Sequence, residues 1–226
     1  HSWLRFTVVA VFVFTGMRMS ELRALRWDRL DLITQKFKVD KSIVGSDMRN
    51  DVKAAGSERT PILHPLLVQI LIRWKAIHTK YFTPNKIPLV FPSLRNCGSV
   101  VPVADRTVND WLKIAYAELG FAKIEIIKNK YGDSKAFVKV LWSKFQGCPS
   151  KTFRHFASTA LLDAQAANPA LDDNFIKGFI GHQKITTTRE IYGDHSNLDT
   201  SSEKDKERQQ ALVEAFDVTI EGGLHD

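Results

Sequence analysis

The sequence has few cysteines and no long apolar run, and both absences narrow its class. The 226 residues include only Cys97 and Cys148, too few for a disulfide framework and without the C-x-x-C spacing of a zinc site. The longest apolar run, Phe6 to Phe14, falls short of the ~18 residues that a membrane span needs, and no signal-peptide cleavage site follows it. A disulfide-rich domain and a transmembrane protein are therefore excluded, and a reducing, cytoplasmic compartment is expected.

Basic charge is concentrated away from the C-terminus. Residues 199–226 hold eight acidic and three basic side chains, a net charge of −5, whereas the whole chain carries +7. The remaining residues therefore carry +12. Lysine and arginine that neutralise phosphates release counterions on binding, so this body favours a polyanionic partner such as nucleic acid. Charge alone fits a merely basic surface equally well.

Apolar spacing predicts a mainly α fold with a small antiparallel β-sheet, an α+β domain. Apolar residues recur every three or four positions in several segments, as they do on helices with one buried face. The predicted helices cover about 2–14, a short stretch from 20, 66–79, 105–119, 151–165, 172–180, 187–195 and 203–216. β-rich runs broken by glycine-containing turns predict an antiparallel meander, with strands at about 36–44, 50–54 and 58–63.

A basic insertion interrupts the helical pattern at about 121–147. Two β-rich runs flank a polar, glycine-containing turn, which predicts a hairpin with strands at about 123–127 and 136–142. Its lysines are candidate DNA contacts, and the three singled out are Lys128, Lys130 and Lys135. We expect one domain over 1–198 that includes this insertion, followed by an acidic tail helix within 199–226.

The helix predicted from residue 151 carries a polar stripe beside an apolar one. The apolar stripe should face the core and consists of Phe153, Phe156, Ala157, Ala160 and Leu161. The same spacing places Lys151, Arg154, His155 and Ser158 on a neighbouring face. Two cations, an imidazole and a hydroxyl together form a candidate anion-binding site. A solvated polar face is the alternative.

Two further clusters of polar residues have structural alternatives of the same kind. Arg18 and Glu21 lie three residues apart at a helix start, where they form either a held guanidinium for phosphate or a helix-capping salt bridge. His182 follows Gly181 and is either a functional imidazole or the neighbour of a helix cap. Tyr192 is either functional or half-buried packing.

Taken in order, these segments resemble the catalytic domain of the tyrosine recombinases, the phage integrase family. The family's first-arginine box is similar to T-G-M-R-M-S-E-L at 15–22, and its lysine hairpin to V-K-A-A-G-S-E-R at 52–59. The second-arginine box resembles K-T-F-R-H at 151–155, and Gly181-His182 matches the next box. Tyr192 follows ten residues later, where the family has its nucleophile. The resemblance covers about four fifths of the chain.

The resemblance implies a site-specific recombinase or integrase that cuts a DNA strand through a 3′-phosphotyrosyl intermediate and rejoins it to another 5′-hydroxyl. The implied catalytic residues are Arg18, Lys53, Lys151, Arg154, His182 and Tyr192, supported by Glu21 and His155, with Arg18, Lys53 and Arg154 also contacting DNA. Lys151 stands where the family more often has histidine. No cofactor or metal is expected, because arginines and an imidazole hold the transition-state charge and the acids show no Mg²⁺-site spacing.

Two alternatives for the activity remain open. A type IB topoisomerase uses a similar set of residues, although the T-G-x-R-x-S-E-L and Gly-His boxes favour a recombinase. A decayed integrase that only occupies DNA sites would keep the binding residues without cleaving.

The ends of the chain carry expectations of their own. Family members normally have an N-terminal DNA-binding domain that closes a clamp around the duplex, and no room for one precedes Thr15. We therefore expect this chain to bind DNA weakly and with little site selectivity. The start at His1, not Met, indicates a piece of a longer protein, in a bacterial or phage context.

The apolar stripe of the tail at 211–216 is too narrow for a central core helix. It either docks on an adjacent protomer and supports self-association on DNA, or folds back on its own domain.

Overall fold

A computed structural model describes most of the chain, with gaps. The described residues are 2–45, 47–49, 58–82, 89–93, 101–118, 122–128, 134–140, 149–165, 167–181 and 202–216. The helix predicted at 187–195, both cysteines and the candidate residues Lys53, Lys130, His182 and Tyr192 lie outside these ranges.

Seven α-helices occur within the described ranges. They are α1 (Ser2–Thr15), α2 (Met19–Ala24), α3 (Pro65–Tyr81), α4 (Asp105–Glu118), α5 (Pro149–Gln165), α6 (Asp173–Ile180) and α7 (Ser202–Ala215), with a 3-10 turn at Trp27–Arg29. Every helix predicted within the described ranges is confirmed. No described helix is long and apolar enough to cross a membrane.

Helix α1 lies at the centre of the domain. Leu4, Val8, Val11 and Phe12 follow helical spacing and are all buried. The helix contacts α3, α4 and α5, so it is covered on several sides by its neighbours. This position explains why its sequence is apolar almost throughout and carries no acidic residue in its first turn.

The described strands form three separate two-stranded antiparallel sheets. They pair β1 (Leu30–Asp31) with β2 (Lys36–Phe37), β3 (Ser42–Val44) with β4 (Asp47–Arg49), and β5 (Ala122–Lys128) with β6 (Ser134–Val140). The small antiparallel β content and the hairpin predicted in the basic insertion are confirmed. The hairpin runs in register from Ala122 opposite Val140 to Lys128 opposite Ser134 and lies beside α4, with Lys135 also in its second strand.

The prediction of a single strand over 36–44 is wrong. Lys36 and Val39 form single bridges to Ile62 and Arg59, whereas the residues from Ser42 onward pair forward into the next hairpin. One straight strand does not serve both partners, so it divides into β2 and β3. Gly45 separates β3 from β4, and the predicted strand at 50–54 lies outside the described residues. The prediction of a strand over 58–63 is also wrong, because this segment forms only the isolated bridges of Arg59 and Ile62.

Helix α7 folds back on the domain and completes its core. Ala211 and Leu212 are fully buried, and the Phe216 ring lies 5.6 Å from that of Phe14. Of the two predicted arrangements, the structure shows the one in which the tail folds back on its own domain. A narrow apolar stripe is enough for this packing, because α7 lies along α5 and its end reaches α1. Few apolar residues are therefore needed to fill the space between two helices.

The core face of α5 is narrower than predicted. Ala157 and Leu161 are fully buried, and Phe153 stacks on Phe12 with ring centroids 6.2 Å apart. Phe156 was expected in the core but is 52% exposed. It lies at the edge of the stripe, beside the Phe216 ring at 6.4 Å, and is only partly covered.

His64 lies where α1, α3 and the end of α7 meet. It caps α3, because its Nδ1 accepts a hydrogen bond from the Leu66 N–H at 3.1 Å. Its ring stacks on Phe14 at 4.6 Å and meets Phe216 at 6.3 Å. Its Nε2 has no hydrogen-bond partner among the described residues. Burial lowers the pKa of His64 from 6.5 to about 4, because a charged imidazolium would lose its hydration.

Mild acid should therefore destabilise the domain through His64. Its folded pKa lies below its unfolded value, so the unfolded chain binds more protons in this window. The stability from the neutral ring is complete above pH 6.5 and is lost as the pH falls towards about 4, by on the order of 3 kcal/mol at 1.36 kcal/mol per pKa unit. Urea unfolding at about pH 7 and about pH 4 measures the loss.

Two variants isolate the contribution of His64. His64→Asn keeps a capping acceptor but does not titrate, so its pH dependence should be smaller by this amount. The exposed His155 provides the control variant His155→Asn, which should behave as the parent chain does. An unchanged pH dependence in His64→Asn would contradict the assignment.

Candidate active site

The loop that follows α1 directs Arg18 to one side of the domain. Gly16 adopts φ +57°, and a Cβ on it would lie 3.0 Å from Ile180 Cδ1 and 3.2 Å from Ala157 Cβ. This glycine therefore lets the end of α1 approach α5 and α6 closely. Met17 is buried, so the next side chain, Arg18, points out of the core and is 39% exposed.

Glu21 is a fully buried carboxylate held by two arginines. Arg18 donates to its Oε1 through Nη1 at 2.7 Å and to its Oε2 through the backbone N–H at 3.0 Å. Arg59 donates to the same two oxygens through Nη1 at 3.1 Å and Nη2 at 2.7 Å. The predicted Arg18–Glu21 pair is thus confirmed. The Glu21 carboxylate caps the start of α2 by accepting from the Arg18 backbone, and it also holds the Arg18 guanidinium. Both of the predicted alternatives therefore occur together.

The carbonyl oxygen of Gly181 joins Arg18 to Arg154. Arg18 Nη2 donates to it at 2.8 Å and Arg154 Nη2 at 3.3 Å. Arg154 Nη1 also donates to the carbonyl of Gly16 at 2.8 Å. Two loop carbonyls, from the ends of α1 and α6, therefore fix a guanidinium that projects from α5.

Positive charge exceeds negative charge in this cluster, which contains Arg18, Arg59, Arg154 and Glu21. Burial alone would raise the pKa of Glu21, but the hydrogen bonds and charges of Arg59 and then Arg18 outweigh it and hold this pKa at about 2. The pKa of Arg154 is lowered to about 9, first by burial and then by the charges of Arg18 and Arg59, and Glu21 offsets only part of this. Three guanidiniums around one carboxylate leave a site that a bound anion would stabilise.

Arg18 and Arg154, the two outer arginines of the cluster, keep donors that no described residue uses and that could bind such an anion. The hydrogen bonds to Glu21, Gly16 and Gly181 use two side-chain N–H groups on Arg18 and two on Arg154. A guanidinium has five N–H donors, so each arginine retains three beyond these contacts. Planar guanidiniums match the oxygens of a phosphate, and held donors stabilise charge that develops in a transition state.

The structure brings together only some of the predicted site residues. Arg18, Glu21 and Arg154 meet, whereas Lys151 and His155 are exposed on α5 and have no described contact with this cluster. His182 directly follows Gly181 in the chain but lies outside the described ranges, as do Lys53, Lys130 and Tyr192. Lys128 and Lys135 lie in the β5–β6 hairpin, which contacts α4.

Arg59 belongs to this cluster and was not predicted as a site residue. Its side chain is 6% exposed and pairs with Glu21. The sequence contained a signal, because Arg59 precedes the buried residues Ile62 and Leu63 and a charge so close to the core needs a partner. Within the described ranges, no three His, Cys, Asp or Glu side chains come together as a metal site, and metal independence stays a prediction.

Comparison with known proteins identifies the family of this chain. The sequence model of the phage integrase family matches residues 3–198. The chain belongs to the phage integrase family. This match spans the first-arginine box, the second-arginine box and the Gly-His box, and it confirms the resemblance and the fold class. No curated protein matches the chain in sequence.

Solved integrases and recombinases share the fold at low identity. XerA recombinase is 21% identical with a TM-score of 0.55, covering 91% of this chain and 57% of that one. The integrase of mycobacterium phage Brujita is 18% identical with a TM-score of 0.52, covering 93% and 50%. The Tn1549 transposon integrase in complex with circular intermediate DNA is 16% identical with a TM-score of 0.59, covering 93% and 63%. The chain thus spans between half and two thirds of the length of these integrase-family structures.

Gly181 and Gly45 offer a matched test of how tightly the arginine cluster is built. Both adopt positive φ, +74° and +66°, so alanine strains either one by about 1 kcal/mol. A Cβ at Gly45 would meet nothing within 4 Å, whereas one at Gly181 would lie 2.5 Å from Arg59 Nη1. Gly181→Ala should therefore also displace Arg59 from Glu21 and lose at least about 2 kcal/mol more than Gly45→Ala. Urea unfolding compares them, and equal losses would disprove the close contact.

Proposed function

We propose that this chain is the catalytic domain of a site-specific DNA recombinase or integrase, which cuts and rejoins DNA strands without a metal. The observation that supports this most directly is the meeting of Arg18 and Arg154 at the Gly181 carbonyl, next in sequence to His182. Their remaining donors suit a phosphodiester, whose transition state spreads charge over the non-bridging oxygens.

The proposed reaction exchanges one phosphodiester bond for another. The Tyr192 hydroxyl oxygen attacks phosphorus, the bond from phosphorus to the 5′-oxygen breaks, and the DNA 3′-phosphate becomes joined to Tyr192. The phenolic proton passes to water, and neighbouring cations, among them Lys151 in the place of the family's histidine, favour its loss; Lys53 protonates the departing 5′-oxygen. Attack by another 5′-hydroxyl reverses these steps and releases the tyrosine.

Double-stranded DNA is the proposed partner. The chain outside its last 28 residues carries a net charge of +12, and the β5–β6 hairpin adds Lys128 and Lys135 beside α4. Lys130, which lies between these strands in the sequence, is proposed as a third contact. Among proteins with a similar fold, the Tn1549 integrase was solved in complex with circular intermediate DNA and XerH recombinase bound to its difH substrate. We place the reaction in the cytoplasm of a bacterial or phage-infected cell, which fits the two cysteines.

Self-association on DNA belongs to the same proposal. In the structure α7 packs against α5 of its own chain, so any contact between protomers would use its outer face or require it to move. Val213 on that outer face is exposed. Sedimentation velocity of the DNA complex tests the proposal, since a single copy on a two-site duplex would contradict it.

A covalent adduct assay tests the proposed chemistry. A nicked suicide duplex traps the cleaved strand on the protein, and the parent chain should form a protease-sensitive adduct that persists in excess EDTA. Tyr192→Phe should abolish the adduct and leave DNA affinity nearly unchanged, because the lost hydroxyl is the nucleophile. Arg154→Ala should slow adduct formation by about 10² to 10³-fold, because it removes held donors at the transition state.

Each failure of this assay has its own meaning. Adduct formation by Tyr192→Phe would refute the nucleophile assignment, and sensitivity to EDTA would indicate metal-dependent chemistry. DNA binding by the parent chain without any adduct would favour a binding relic.

A sulfur-containing substrate tests the role of Lys53. Lys53→Ala should cleave ordinary DNA slowly, since no acid protonates the leaving oxygen. Replacing the scissile 5′-oxygen by sulfur should restore the rate to near that of the parent chain, because a thiolate leaves without a proton. A variant no faster on the sulfur substrate would assign Lys53 another role and favour Lys151 as the acid.

A further inference from the structure

Backbone hydrogen bonds hold Arg59 in place independently of the contacts of its side chain. Its backbone N–H donates to the Val39 carbonyl at 3.3 Å, and its own carbonyl accepts from the Val39 N–H at 2.9 Å. The residue as a whole is only 8% exposed. The guanidinium therefore starts from a rigid anchor and does not reach a ligand at the surface.

The side chain fixes the plane of the Glu21 carboxylate. Its two terminal nitrogens donate to the two carboxylate oxygens in a fork, at 3.1 and 2.7 Å. A bidentate pair fixes orientation as well as distance, which a lysine ammonium does not do. Arg18 is bound to the same carboxylate through Nη1, so its direction depends on that plane.

The same guanidinium lies against the turn that ends α6. Its Nε donates to the Phe179 carbonyl at 3.2 Å. A Cβ on Gly181 would lie within 3.0 Å of three of its atoms, so only glycine leaves room for it. The carbonyl of this glycine accepts from both Arg18 and Arg154. One buried side chain thus contacts two of the three groups that hold Arg18 and Arg154, the third being the Gly16 carbonyl.

We infer that Arg59 is the positioning residue of this site, acting through Glu21 on Arg18 and through the Gly181 turn on both Arg18 and Arg154. It touches no substrate itself. Its effect on cleavage rests on the proposed function, but its effect on the two guanidiniums does not.

The chain provides a matched control in Arg23, a second buried arginine. Arg23 donates through Nε to the Val103 carbonyl at 2.7 Å and through Nη2 to the Gly45 carbonyl at 2.9 Å, and it pairs with Asp105. It shares burial, backbone contacts and an acidic partner with Arg59, but it does not contact the arginine cluster. Arg59→Lys and Arg23→Lys therefore separate positioning from ordinary stability.

The test uses the whole chain and two measurements. The first follows the side-chain Nε–H signals of Arg18 and Arg154 in ¹H–¹⁵N spectra, with inorganic phosphate as the probe. Arg59→Lys should shift or broaden these signals and weaken their response to phosphate, whereas Arg23→Lys should leave them as in the parent chain. The second is single-turnover adduct formation, which Arg59→Lys should slow by on the order of 10²-fold through misplacement of the arginines. DNA affinity should change by less than about threefold.

The outcomes distinguish this inference from the proposed function. Unchanged signals in Arg59→Lys, or the same changes in Arg23→Lys, would overturn the positioning role. A parent chain that forms no adduct would defeat the proposed function, while the spectra would still decide about Arg59. If Arg59→Lys does not fold, the double variant Glu21→Gln with Arg59→Met removes both charges together and is better tolerated. Parent-like Arg18 and Arg154 signals in that variant would equally overturn the inference.

Discussion

The site depends on one buried carboxylate. Glu21 is fully excluded from solvent, and an unpaired carboxylate in that position would be costly. Arg59 balances the charge of this carboxylate from inside the domain, and Arg18 balances it from the solvent side. Glu21 therefore links a buried arginine to an arginine at the surface. The hydrogen bonds from these arginines outweigh the effect of burial on the pKa of Glu21, and the carboxylate therefore stays ionised at neutral pH.

The arginine cluster carries more positive than negative charge, and this excess favours the binding of an anion. One carboxylate does not balance three guanidiniums, and Arg154 in particular is held by the neutral carbonyls of Gly16 and Gly181. The pKa of Arg154 is lowered by the burial of its guanidinium and by the neighbouring positive charges. In the proposed function, a phosphodiester supplies the missing negative charge. Rigid carbonyl contacts keep both outer arginines in place before it arrives, which is the arrangement that stabilises a transition state most effectively.

Two glycines let the backbone come close enough for these contacts. Gly16 brings the end of α1 against α5 and α6, and Gly181 makes room for the Arg59 guanidinium. Both carbonyls then accept from Arg154. The small residues of the first-arginine and Gly-His boxes thus have a steric role beside the charged ones. The core that α1 forms with α3, α4 and α5 holds these loops at fixed separations.

Sequence alone determined the helices within the described ranges, the basic hairpin and the pairing of Arg18 with Glu21, because each depends on spacing within one segment. The family followed from the order of four short motifs. Only the tertiary structure decided that Arg59 joins the site, that Phe156 leaves the core and that α7 packs on its own domain. These outcomes depend on contacts between residues far apart in the chain, such as Arg59 with Phe179, which no local periodicity encodes. The strand predicted at 36–44 failed partly for the same reason, since its first half bridges to the distant residues Arg59 and Ile62 while its second half pairs with the adjacent strand β4.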